Sequence, residues 1–519
     1  MKLARYVELC TLGWIGSVAS FTGPSNFYSC SKTPTVFLRA TTSRIMCLPR
    51  RSTVGGLGAT STNVANLAEK TMEPDSDPYE VEAKLVDEDK SLYLGLVALQ
   101  LLPYLFIDYI YSSFFYLGIL AVTTVYLGSK RQDIPNERTQ VTTRQALTAP
   151  VLSSVSLFGV FLVLKYTDVS FGVAYQTLTT VLGVGSAVSI VPPVLRATLP
   201  EAITSIPVSA PLEKALAGAT TFFKNAGGID NEVKDDQPLL DFAELAVLLT
   251  AVIGALVYVD PEVGLSAKFL VPNLLAWCIA MQTIGLISIS SFTTAVILLA
   301  GLFCYDIFWV FGTEVMMTVA TRIEAPVKFL FPSPPDLVKP YPFSVLGLGD
   351  IVIPATFCTL MRSFDQHLEG IKQAEAEAAR ALAEKVSQKN PVALWLDSIL
   401  GVKDESAVAG TTRLAGLKSA RGGGVGVGEA LTAGEAGKEN DRQLSYFETS
   451  VAAYALGLGL CFAVNFLSKS GQPALLYLNP MLLGSAAVTA ALNGNGQLDQ
   501  LFSYSKSNRK PDPSEDGQT

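Results

Sequence analysis

Two carboxylates in this sequence stand where a carboxylate is expensive to keep. Asp306 lies in "LFCYDIFWVFGTE", Leu302–Glu314, among aromatic side chains, and from Phe269 to Tyr305 there is no Asp, Glu, Lys or Arg. Asp350 lies in the next apolar stretch, "FSVLGLGDIVIPATFCTLM". A central charge in a membrane helix costs roughly 2.5–3.5 kcal/mol even on lenient insertion scales, so each acid is expected to have a partner. At about 1.5 Å of rise per residue, Asp306 is roughly 20 Å from the 292 end of its span. Asp350 is about 10 Å into the span that returns from the same side, so an up-and-down pair of helices brings both acids to similar depth. At about 5 Å and an effective dielectric near 20, two such charges repel by roughly 3 kcal/mol. The pair is therefore expected to hold one proton and to titrate as a unit. That state suits peptide hydrolysis: the ionised acid takes a proton from water while the protonated one donates to the scissile carbonyl oxygen. The same acids would equally serve a proton-coupled transporter or leak channel, and spacing alone does not separate the two.

Composition narrows the chemistry further. The chain has 519 residues, 49% of them apolar and only 16% charged, with a mean hydropathy of +0.37. Soluble domains carry about 25% charged residues, so much of this chain is built for lipid. The net charge of −8 is spread over tails and loops, and no basic face suggests nucleic acid. The one histidine, His367, lies in a charged stretch outside the apolar segments. It reads as a solvated residue, which removes His-based zinc or Ser–His chemistry from any span. The seven cysteines form no CxxC pair and no ligand cluster. Neither a metal nor a cofactor is expected.

The elements that must position the acids are apolar runs long enough to cross a bilayer, about 20 residues each. Nine are read: 108–128, 148–166, 170–192, 240–259, 266–286, 292–316, 343–362, 450–468 and 473–492. Residues 1–90 read as targeting sequence and disordered linker, and 91–362 as spans one to seven. Residues 363–449 form a charged and Gly-rich insertion, 450–493 the last two spans and 494–519 a tail. Within the insertion, "LEGIKQAEAEAARALAEKVSQK" predicts an exposed helix and "ARGGGVGVGEALTAGEAG" a flexible, cytosolic linker. Leaving the insertion aside, the loops after spans one, three and five plus the tail hold 11 Lys and Arg against six in and beside the other loops. This asymmetry predicts a lumenal N-terminus and a cytosolic C-terminus.

Three motifs in order resemble those of signal peptide peptidases, the intramembrane aspartyl proteases related to presenilin. They are "YDIFWVFGTEVMMTVA" around Asp306, "LGLGDIVIP" around Asp350 and "QPALLYL" at Gln472–Leu478. The likeness runs from about 108 to 505 outside the insertion. It implies an all-α bundle of nine helices, with Asp306 and Asp350 as the catalytic dyad. Tyr305, Gly347, Leu348 and Gly349 would line the site, with Pro473, Ala474 and Leu475 beside it at the start of the last span. The implied substrates are signal-peptide remnants and type II membrane segments, cut within the bilayer in contact with lipid; a homo-oligomer is compatible with this. Gly347 and Gly349 are expected to let a neighbouring backbone approach closely. A wet cleft is expected between spans six and seven, capped by span nine. The implied residence is the endoplasmic reticulum or endomembrane system. The junction "VASFTGPS" also resembles the signal-peptide/transit-peptide boundary of algae with secondary plastids, which makes such a membrane the alternative.

Overall fold

The computed structural model describes residues 78–100, 102, 112–134, 138–166, 170–200, 218, 242–259, 267–323, 325–332, 343–387, 443–468, 471–494 and 496–505. The targeting sequence, the Gly-rich linker and the end of the tail lie outside these residues. The helices are α1 (Pro78–Glu88), α2 (Lys90–Leu99), α3 (Ser112–Lys130), α4 (Thr143–Tyr166), α5 (Ser170–Thr198), α6 (Phe242–Val259) and α7 (Ala267–Leu286). They continue with α8 (Phe292–Phe311), α9 (Val315–Arg322), α10 (Gly349–Ser387), α11 (Tyr446–Ser468), α12 (Leu475–Asn493) and α13 (Gln497–Ser503). Two short sheets accompany them: a parallel pair, β1 (Thr139–Val141) with β2 (Ile287–Ile289), and an antiparallel hairpin, β3 (Lys328–Pro332) with β4 (Phe343–Gly347).

Eight of the described helices are long and apolar enough to cross a membrane. The remaining expected span, 343–362, departs from its reading. Residues 343–347 are strand β4, and the helix carrying Asp350 begins only at Gly349 and continues unbroken to Ser387. An apolar run of this length does not by itself separate strand from helix. The part of α10 from Gln366 onward belongs to a second compact unit, where it is helical and mostly exposed as the Ala-rich sequence predicts, with His367 on its surface.

Small residues set the packing of the membrane unit, as expected where no hydrophobic force drives helices together. A methyl added at Gly183 would come within 2.9 Å of Leu275, and one at Gly301 within 2.6 Å of Pro150, so α5–α7 and α4–α8 contacts depend on the missing side chains. Polar ties add direction. Arg362 pairs with Asp133 at 2.5 Å, and Asp365 accepts from the Ser445 hydroxyl and the Tyr446 and Phe447 N–H groups. Asp365 thus caps α11 from another helix.

The chain before α3 behaves differently from its reading as linker. Helix α1 reaches back to Pro78, inside that stretch. Lys130 pairs with Asp89 at 2.7 Å and Arg131 with Glu82 at 2.7 Å. The Tyr116 hydroxyl donates to Gln100 at 2.8 Å. Helix α2 therefore runs antiparallel to α3, with Asp89 at the Lys130 end. Two ion pairs thus hold the stretch from Glu82 to Asp89 beside the Lys130 end of α3.

Candidate active site

Asp306 is set in place by the fixing of α8. Ser291 caps that helix, accepting from the Thr294 N–H at 3.2 Å. Farther along, Trp309 Nε1 donates to Ser154 of α4 at 3.0 Å. Asp306 faces inward with only 3% of its surface exposed. It meets the start of α12, whose first residue, Leu475, donates its N–H to Asp306 Oδ2 at 3.1 Å. That N–H has no partner inside its own helix, and a helix N-terminus favours a carboxylate. Pro473 and Ala474 are buried just before it. One turn on, Asn479 Nδ2 donates to the Leu299 carbonyl at 2.8 Å and ties α12 to α8.

Asp350 is the second residue of α10, directly after the hairpin. Leu348 makes that junction: its N–H donates to Val327 at 3.2 Å, and its carbonyl accepts from Val352 at 2.8 Å. Pro354 stands four residues after Asp350 and has no N–H to return to the Asp350 carbonyl. Tyr454 of α11, fully buried, supplies the donor instead, with its hydroxyl 3.2 Å from that carbonyl. Asp306 and Asp350 are close enough for the charge of one to act on the other, and both act on the Tyr305 hydroxyl. Tyr305 itself packs against the cluster of Leu157, Val160, Tyr175 and Trp309.

The two glycines differ from expectation. A methyl at Gly347 would only touch Asp350 Oδ2 at 3.5 Å, and one at Gly349 would meet nothing within 4 Å. No backbone crowds them; the space they leave lies open beside the acid. Four polar residues near the site were not singled out from sequence: Tyr454, Asn479, Asn273 and Lys328. Lys328 is 3% exposed and donates to the carbonyls of Ala320 and Ile323 at the end of α9, at 2.6 and 3.0 Å. The available signal was a polar side chain inside an apolar run, but its partner was not readable.

Fold and site together define a multi-pass membrane protein in which the head of α12 meets Asp306 of α8. A family model described as signal peptide peptidase matches residues 133–508. The human signal peptide peptidase is 26% identical over 424 residues, covering 80% of this chain and 84% of that protein. The mouse signal peptide peptidase is 27% identical over the same length and coverage. Intramembrane protease 2 of Caenorhabditis elegans is 30% identical over 246 residues, 47% of this chain and 40% of that protein. No solved structure matches the chain. The chain belongs to the signal peptide peptidase family and is a membrane-embedded peptide hydrolase. Nothing among these matches supports a transporter.

Proposed function

We propose that the protein is an aspartic endopeptidase that cuts signal-peptide remnants and type II membrane segments within the bilayer, with Asp306 and Asp350 as its acid–base pair. The observation that carries this reading is the Leu475 N–H at the head of α12 donating to Asp306 of α8, with Asp350 at the head of α10 within electrostatic reach. The main-chain donor on Asp306 suits it to the ionised role, leaving the shared proton on Asp350. Asp306 then takes a proton from water as the water oxygen bonds to the scissile carbonyl carbon. Asp350 gives its proton to the carbonyl oxygen, and a gem-diol forms. Collapse of the gem-diol breaks the C–N bond, the leaving nitrogen takes the proton held by Asp306, and a diol hydroxyl returns one to Asp350. A helical substrate must unwind first, because its carbonyls are engaged in helical hydrogen bonds. Unwound backbone is tolerable only where protein or water satisfies it. The open space beside Gly347 and Gly349 supports a cleft at that place.

The orientation proposed with this reading puts the Lys130 end of α3 and the C-terminus in the cytosol, in an endoplasmic reticulum or related membrane. The test is cleavage of a signal-peptide reporter by the purified protein in detergent. Asp306→Asn and Asp350→Asn should each abolish it, with a peptidomimetic transition-state analogue still eluting the wild-type protein from a column. Cleavage surviving either substitution would remove the dyad.

A further inference from the structure

Asn273 is a fully buried amide in the second turn of the apolar helix α7, and the catalytic scheme above does not use it. All its polar atoms are engaged. Its Oδ1 accepts from the Leu330 N–H at 2.8 Å, and its Nδ2 donates to the Leu330 carbonyl at 2.7 Å and to the Tyr116 hydroxyl at 3.0 Å. The Tyr116 hydroxyl in turn donates to Gln100 Oε1, at the end of α2, at 2.8 Å. The Tyr116 ring lies 5.1 Å from that of Phe331, the next residue of β3. One side chain therefore offers a strand the donor–acceptor pair that a neighbouring strand would offer, and the phenol braces the amide in the orientation the strand requires.

The consequence reaches the other edge of the hairpin. In an antiparallel pair, opposed residues alternate between those that bond each other and those whose main-chain groups point outward. Leu330 is opposed to Val345 and gives both its groups to Asn273, so Leu330–Val345 is an outward-pointing pair. Two residues on, Lys328–Gly347 is another, and the Leu348 N–H turned inward to Val327 fits the same alternation. The free edge of β4 thus presents the N–H and C=O of Val345 and Gly347, three residues before Asp350. Val345 is 39% exposed, while every residue of β3 is buried. Among the described residues no strand covers that edge. A hairpin slipped by one residue would turn these groups away and present others.

We propose that Asn273 is a positioning residue: its amide closes the inner edge of β3 as a surrogate strand and so fixes which main-chain groups the hairpin offers beside Asp350. This rests on the proteolytic reading above. It assigns Asn273, held by Tyr116 and Gln100, the choice of which substrate bond lies at the dyad.

The experiment compares wild type, Asn273→Leu and Tyr116→Phe on one reporter, reading kcat/KM and the masses of both products. Tyr116→Phe leaves the Leu330 bonds in place and removes only the hydroxyl that braces the amide from behind. Asn273→Leu should lose on the order of 10- to 100-fold in kcat/KM, as misplacement near 1 Å does, and its products should spread to neighbouring bonds. Tyr116→Phe should show the same spread with a smaller loss. Unchanged product masses in both variants overturn the inference, even if rates fall, because a purely structural role lowers yield without moving the cut. If Asn273→Leu does not fold, the masses from Tyr116→Phe decide alone. A wild-type protein that cuts nothing removes the proteolytic reading and this one with it, an outcome distinct from wild-type cleavage with unmoved cuts.

Discussion

Removing one hydroxyl from α11 should loosen Asp350 at the head of α10. Tyr454 is fully buried, and its hydroxyl lies 3.2 Å from the Asp350 carbonyl. In an unbroken helix that carbonyl would accept from the residue four positions on, which here is Pro354. Tyr454→Phe therefore leaves a buried acceptor without its donor, a loss of about 1–3 kcal/mol. If half of this is felt as misplacement of Asp350 in the transition state, kcat/KM falls roughly 2- to 12-fold, at about 1.4 kcal/mol per factor of ten. A drop of that size has many explanations, so the proline supplies the control. Pro354→Ala restores an N–H at the position that can reach the Asp350 carbonyl. In that background Tyr454→Phe should cost less than about 0.5 kcal/mol of stability, a coupling of about 0.5–2.5 kcal/mol between two side chains on different helices. The assay is reporter cleavage by the four purified proteins, with thermal melts beside it. Additive losses, with Tyr454→Phe equally harmful whether residue 354 is Pro or Ala, would refute the reasoning.

Packing at the site's foundation should respond asymmetrically to glycine substitution. Gly301→Ala places a methyl 2.6 Å from the Pro150 ring and should destabilise by about 1–3 kcal/mol in thermal melts, whereas Gly159→Ala meets nothing within 4 Å and should be neutral or stabilising by up to about 1 kcal/mol. Because Asp365 already ties the start of α11, replacing Gln366–Arg442 with a short Gly/Ser linker should leave cleavage intact, while Asp365→Ala in that shortened protein should lower the melting temperature by removing a cap of about 1–2 kcal/mol. The ion pairs of α1 predict that Glu88→Cys and Arg144→Cys, each in an otherwise cysteine-free protein, react with an impermeant maleimide from the same face of sealed vesicles.

How much of this was legible beforehand depended on whether a residue's role is carried by its own neighbours or by distant ones. The membrane helices and the two acids announced themselves, because length, hydropathy and a lone charge in an apolar run are local properties. Helix α1 did not. "PYEVEAKLVDE" has no apolar run, and it is held by Glu82 and its neighbour Asp89 reaching cations at the end of α3. Strand β4 was hidden inside an apolar stretch that served equally well as a span, and what makes it a strand is its register with β3. Asn273 looked like one polar residue among many; its meaning lies 57 positions away at Leu330.

Pro354 shows the limit most clearly. Alone it reads as a weak point one turn into a helix, a place where Asp350 loses support. The structure assigns that missing bond to a tyrosine 104 positions on, just as Asp306 draws its donor from Leu475, 169 positions on. Each acid is therefore steadied by a group from the last two spans, on the far side of the insertion. It follows that α8 and α10 could not hold the pair in working geometry alone: α11 and α12 must dock before either acid has its support, so activity should appear only with the last two spans in place.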